Sequence, residues 1–198
     1  MKHWFAAIFA LALAGCQTTS ELVLPSSTAP DAASAQVGTS IGDRLHNFAF
    51  VTEAGESASI SDFQGKVVFV NFWAAWCRPC REEMPAMNDL YKRVGNRPDM
   101  AFLLLQHSEA IDASRAYISS EGFSLPAVDS GYIKGKGWGR KMMTRGGQLE
   151  RYSFVSSGTL PTSYILDKNG IIAYRSLKRT DWDDFEKPIL RLLSTGPA

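Results

Sequence analysis

Lys66 to Trp73 (KVVFVNFW) is an almost unbroken run of apolar, β-branched and aromatic residues, and Gly65 interrupts the chain just before it. Such a run lacks the polar alternation of a half-exposed strand, so it predicts a strand covered on both faces, hence a central one. Further on, Met84, Met87, Leu90, Tyr91 and Val94 recur at steps of three and four, the period of a helix with one apolar face. Met100 to Gln106 (MAFLLLQ) is a second buried-strand candidate, and Glu109 to Ser120 can form a helix after it. Asp167-Lys168-Asn169-Gly170 separates two apolar stretches and predicts a hairpin turn. Trp182, Phe185, Ile189, Leu192 and Leu193 fall at helical steps, predicting a last helix capped by Thr180 or Asp181 and kinked by Pro188. Residues 44–63 would add an N-terminal extension of short strands. Strands alternating with helices place the chain in the α/β class.

The start of the chain has a different pattern. Met1-Lys2-His3 is a short basic beginning, and Trp4 to Ala14 is an apolar run that ends in small residues. It is too short to cross a bilayer, which takes about 20 residues, and it has the proportions of a secretory signal. The chain is therefore expected to be exported. Leu13-Ala14-Gly15-Cys16 resembles the lipobox of bacterial lipoproteins, in which the signal is cut before the cysteine and the cysteine is acylated. That resemblance makes residues 1–15 a signal peptide and Cys16 the lipidated first residue. Residues 16–40 would follow as the lipidated cysteine and a flexible tether, rich in Ser, Thr, Ala and Pro and without a sustained period. As a coil the tether reaches ~25 to 30 Å, enough to hold residues 41–198 clear of a membrane as one domain. Gln17, rather than aspartate, follows the cysteine, and by resemblance to lipoprotein sorting this points to the outer membrane.

With 198 residues, 45% hydrophobic and 21% charged, the chain can bury one sizeable core and is neither a fibre nor a multi-span membrane protein. Lys plus Arg number 21 against 20 Asp plus Glu, a balance that gives no field to concentrate nucleic acid. The balance conceals an asymmetry within residues 129–158. There Lys134, Lys136, Arg140, Lys141, Arg145 and Arg151 face only Asp129 and Glu150, a local net charge of +4. This segment is either a solvated, glycine-rich loop or a surface that recognises an acidic partner.

The remaining two of the three cysteines, Cys77 and Cys80, sit where the central strand hands over to the first helix. Pro79 is favoured in a first helical turn, so the helix should start near Cys77. The unpaired amides and the positive end of the helix dipole would then favour the Cys77 thiolate, the attacking species in disulfide exchange, and Arg78 adds a neighbouring cation. Cys80, one turn on, can reach the first sulfur and act as resolving thiol. A purely structural disulfide is the competing reading, although so short a loop restricts the unfolded chain little. A zinc site would need further ligands at suitable spacing, and no second Cys or His pair exists.

VNFWAAWCRPCREEMP resembles the active-site segment of thioredoxin-fold proteins, and among them of the exported, membrane-tethered TlpA, ResA and DsbE group. The match includes Pro85, and Leu160-Pro161-Thr162 with the following SYILDKNGIIAYR resembles that family's cis-proline loop and hairpin. The resemblance implies a thioredoxin fold, with a mixed central sheet flanked by helices, an N-terminal extension and the basic glycine-rich segment inserted before the cis-proline loop. It implies a thiol-disulfide oxidoreductase of the bacterial periplasm that uses Cys77 and Cys80, supported by Trp76, Arg78, Pro79 and a cis Pro161. Thr159, Leu160 and Thr162 would flank an extended substrate segment. Glu83 corresponds to a family glutamate near the cysteines and could move the Cys80 proton, or could simply complement the helix start, as Glu82 is expected to do. Asn71 stands where thioredoxin has a buried aspartate, so a relay built on that aspartate is not expected here.

The implied partners are disulfide-containing periplasmic proteins, a membrane thiol-disulfide electron donor and, through the lipid, the membrane itself. The chain would act as a monomer, without metal or organic cofactor, and cytochrome c biogenesis is one setting for such chemistry. Proline in the second variable position, as in thioredoxin, favours reduction of substrates over their oxidation, while Arg78 pulls the other way. Two further readings stay open: a Cu(I)-binding metallochaperone on the same fold, using Cys77, Cys80 and His107, and a lipoprotein that is chiefly a docking module through its basic segment. Copper relatives usually space their cysteines C-x-x-x-C, which this chain lacks. His107 follows a predicted strand end, a common place for functional groups, whereas His46 has no such position.

Overall fold

In the computed structural model, residues 34–131, 158–178 and 183–195 are described. Cys16 and the stretch expected to be its lipobox, residues 17–33, the six basic residues between 134 and 151, and Thr180, Asp181 and Trp182 lie outside them. Four short strands come first: β1 (Val37–Gly38), β2 (Arg44–Leu45), β3 (Ala49–Val51) and β4 (Ser57–Ser59), followed by a 3-10 turn over Ile60–Phe63. β1 lies within the segment whose composition suggested a tether. Its parallel pairing with β2 orders it, and a two-residue bridge leaves no periodic trace in the sequence.

The predicted central run forms β5 (Val67–Trp73), and all seven of its residues are buried. β5 runs parallel to β6 (Met100–Gln106) and antiparallel to β7 (Thr162–Leu166), and β7 pairs with β8 (Ile172–Ser176). The sheet is therefore mixed, in the order β6-β5-β7-β8. Asp167 makes the predicted turn between β7 and β8: its Oδ1 accepts the N–H groups of Asn169 and Ile171, both at 2.9 Å. Gly170 supplies the positive φ of 75° that this turn requires.

Three helices are described: α1 (Arg78–Val94), α2 (Ile111–Ser120) and α3 (Asp183–Ser194). Because side chains alternate along β5, the strand serves two cores. Val67, Phe69 and Trp73 pack with Met84, Met87 and Leu90 of α1, Ile118 of α2, and Phe185 and Ile189 of α3. Phe69 stands edge-on to both Phe102 and Phe185, with ring centroids 5.5 and 5.6 Å away. Val68, Val70 and Phe72 face the other way, against Leu45, Phe48, Phe50 and Ile60 of the N-terminal extension. Removing a side chain such as Phe69 from water stabilises by about 2 to 3 kcal/mol, so this double coverage accounts for the apolar character of the whole run. The open edge of β6 is met by Val128 and Asp129, which bond to Leu104 on one side and to Val51 on the other.

α2 begins two residues later than its periodicity suggests. Ser108 adopts a left-handed backbone, φ 62°, and the Glu109 side chain bridges the loop after β5 and Ser114 of α2. Pro188 lies inside α3, whose Phe185, Ile189 and Leu193 are the buried positions.

Candidate active site

β5 ends at Trp73, and Ala74 to Trp76 carry the chain beyond the end of that strand to Cys77, the N-cap of α1. Arg78 and Pro79 occupy the first two helical positions, where proline's missing N–H has no intrahelical partner to lose. The cap is made by sulfur: Cys77 Sγ accepts the backbone N–H of Cys80 at 3.3 Å. Cys77 and Cys80 are joined in a disulfide, with Sγ atoms 2.02 Å apart and Cα atoms 5.3 Å apart. Both are nearly covered, at 4% and 2% exposure, whereas Trp76 beside them is 61% exposed. A helix N-terminus aimed at the Cys77 sulfur favours its anionic form in the reduced pair.

Arg78 adds less to that effect than its position in the sequence suggests. Its side chain is 81% exposed and bonded to Glu82 at 3.1 Å, so solvent and a carboxylate both screen its charge. Glu82 correspondingly serves Arg78 and stands beyond the first helical turn. Glu83 turns inward instead: at 4% exposure it sits on the same side of α1 as Cys80, three residues back. Pro85 lies within α1 and cannot offer an N–H to the Arg81 carbonyl. Asn71 is buried, and its Nδ2 donates to Ser163 Oγ at 2.9 Å, across the β5–β7 pairing. This neutral pair fills the position of the aspartate relay.

The Leu160-Pro161 peptide bond is cis, as the resemblance implied. Leu160 packs against the buried cluster that contains Cys77 and Cys80, and Thr159 is exposed. Thr162 differs from its expected role. Its side chain is buried and donates to the Thr159 carbonyl at 2.6 Å, so it shapes the loop and presents no side chain to a substrate.

Three residues near the site have roles that sequence did not reveal. The Glu109 carboxylate accepts the Ala75 N–H at 2.9 Å and the Ser114 hydroxyl at 2.5 Å. Gln106, fully buried at the end of β6, donates from Nε2 to Asp129 Oδ1 at 2.9 Å and accepts the Ser130 N–H on Oε1 at 2.6 Å. Tyr117 of α2 packs on Trp73 and lies 5.8 Å under the Arg81 guanidinium. Apart from Tyr117 and its helical period, only the position of these residues at strand ends hinted at them. His107 is buried, with its backbone N–H on the Trp73 carbonyl at 2.7 Å and its ring Nδ1 2.8 Å from Ser108 Oγ. His46 is half-buried between β2 and β3. Among the described residues, no three His, Cys, Asp or Glu side chains are grouped to hold a metal ion, and no helix is long and apolar enough to cross a membrane.

The model of the AhpC/TSA family matches residues 41–175. The chain is similar to the thioredoxin-like protein YneN of Bacillus subtilis, 31% identical over 138 residues that cover 69% of this chain and 71% of YneN. It is 32% identical over 131 residues to the thiol-disulfide oxidoreductase ResA of Bacillus thuringiensis, covering 66% of this chain and 65% of ResA. Among solved structures, the thioredoxin domain of a thiol-disulfide oxidoreductase from Bacteroides vulgatus superimposes with a TM-score of 0.59 at 17% identity, over 81% of this chain and 100% of that one, a likeness of fold.

Proposed function

This chain belongs to the AhpC/TSA family, among its thioredoxin-like, ResA-like thiol-disulfide oxidoreductases, and from that premise we propose that it reduces disulfides of periplasmic proteins while anchored to a membrane through acylated Cys16. The reaction starts from the dithiol. The Cys77 thiolate attacks one sulfur of the substrate disulfide; that S–S bond breaks, the departing sulfur takes the electron pair and a proton, and a mixed disulfide remains on Cys77. Cys80 then gives up its proton, with Glu83 as acceptor, and its thiolate attacks Cys77 Sγ. The second substrate sulfur leaves with its electron pair, and two electrons in all have passed to the substrate. The product state of the protein is the Cys77–Cys80 disulfide. A membrane thiol-disulfide donor returns it to the dithiol.

The observation that carries this reading is the placement of Cys77 as the cap of α1, with Cys80 bridged to it one turn on; Leu160, whose bond to Pro161 is cis, packs on the same buried cluster as the pair. Exposed Trp76 and Thr159 give an extended substrate segment a surface next to the pair, and the backbone at Leu160 pairs with it. Proline at position 79 supports the reducing direction. Cys77→Ser protein should lose turnover of a disulfide substrate, and wild-type turnover in that variant would overturn the proposal.

A further inference from the structure

We infer that Glu109 is a positioning residue of the redox centre, holding the loop that presents Cys77 by gripping the Ala75 amide. The inference rests on the Cys77 mechanism above. Ala75 lies two residues before Cys77, in the stretch between β5 and α1 that has no sheet or helix partner of its own. Its N–H donates at 2.9 Å to a carboxylate oxygen 34 residues away in sequence, a charge-assisted bond of the stronger kind. The same oxygen takes the hydroxyl of Ser114, which is fully buried, so the carboxylate itself is fixed from the α2 side.

The backbone around Glu109 is arranged to deliver it there. Ser108 takes a left-handed φ of 62°, a conformation that costs a non-glycine residue and persists where the surroundings dictate it. Immediately before it, the His107 N–H is tied to the Trp73 carbonyl at 2.7 Å, which pins the β6–α2 loop to the end of β5. Gln106 then anchors the segment from beneath. Its Nε2 reaches the Glu109 carbonyl at 3.4 Å and Asp129 Oδ1 at 2.9 Å, while Ser130 returns a hydroxyl to the Gln106 carbonyl at 2.7 Å. Three loops that meet at one end of the sheet are thus joined through Gln106 and Glu109 to the residue two places from the nucleophile. Displacement of a reacting group by about 1 Å can cost on the order of a hundredfold in rate, so loss of this hold should be visible in exchange kinetics.

The test compares Glu109→Ala, Glu109→Gln and Ser114→Ala in the full chain, using oxidised glutathione as the disulfide and reading two quantities: the second-order rate of the reduced protein and the Cys77/Cys80 equilibrium with glutathione. Glu109→Ala should slow exchange by about tenfold and move the equilibrium constant by about threefold or more. Glu109→Gln, which keeps an acceptor oxygen, should restore both to within about twofold of wild type. Ser114→Ala should lower the rate by about threefold, and it stands in for Glu109→Ala should that variant not fold. Wild-type rate and equilibrium in a folded Glu109→Ala protein, or a wild-type rate in Ser114→Ala when Glu109→Ala does not fold, would overturn the assignment. So would a Glu109→Gln protein as impaired as Glu109→Ala. Cys77→Ser in the same assay separates the two proposals: if it stays active the Cys77 mechanism fails, and if it is inactive beside a normal Glu109→Ala, only the role of Glu109 does.

Discussion

Replacing Glu83 by glutamine should slow the second half of disulfide exchange and leave the first half unchanged. Positions three apart on a helix hold their Cβ atoms about 5 to 6 Å apart, so the buried Glu83 carboxylate can meet the Cys80 proton directly or through one water. The size of the effect has a ceiling set by the thiol. An ordinary thiol with a pKa of about 8.5 is about 3% ionised at neutral pH, so a base that ionises it fully gains about thirtyfold. Cys80 is covered by the protein, which disfavours its anion and raises that ceiling. A loss of about ten- to a hundredfold in the resolving step is therefore expected, with little change in stability because glutamine keeps the shape. Acid quenching and alkylation of a single turnover would follow the mixed disulfide as it forms and decays. In Glu83→Gln it should form at the wild-type rate and then accumulate, and the defect should shrink as alkaline solution takes over deprotonation of Cys80. Decay at the wild-type rate near neutral pH would refute proton transfer to Glu83.

Arg78→Ala should change the rate of Cys77 alkylation in the reduced protein by less than about fivefold at low salt, because an exposed ion pair is worth at most about 1 kcal/mol; a larger drop would show that the guanidinium acts on the sulfur directly. Ser163→Ala leaves the buried Asn71 amide without the acceptor it now has at 2.9 Å, and should cost about 1 to 3 kcal/mol in urea denaturation, whereas an unchanged midpoint would contradict this. Burial pushes the Tyr164 phenol above its usual range, with Arg175 opposing. The folded state thus keeps a proton that the unfolded chain releases above pH about 10, and stability should fall as pH rises through that point. Tyr164→Phe should flatten that fall, and an unaltered pH profile would argue against it.

Local chemistry and periodicity were legible where a single segment carries the whole signal. The apolar run before Cys77 became β5, MAFLLLQ became β6 without adjustment, and the methionines and Leu90 of α1 all turned inward. The cysteine pair at a strand-to-helix junction likewise followed from Pro79 and the flanking patterns. The cis geometry at Pro161 was accessible only through resemblance, since most such bonds are trans. What the sequence hid depends on contacts between distant residues. Glu109 looked like the first residue of a helix, yet its carboxylate is committed to an amide 34 positions away and the helix starts after it. Thr162 sat beside the cis proline like a substrate contact, but a hydroxyl with a carbonyl three residues back turns inward. Arg78 looked like a neighbour of the nucleophile until its rotamer placed it in solvent with Glu82.

The central claim is that Cys77 attacks and Cys80 resolves. Reduced Cys80→Ser protein mixed with a disulfide-containing protein substrate, followed by peptide mass spectrometry, tests it most directly. A stable mixed disulfide joined to the substrate through Cys77 is the predicted result. Turnover at the wild-type rate with no adduct on Cys77 would contradict it.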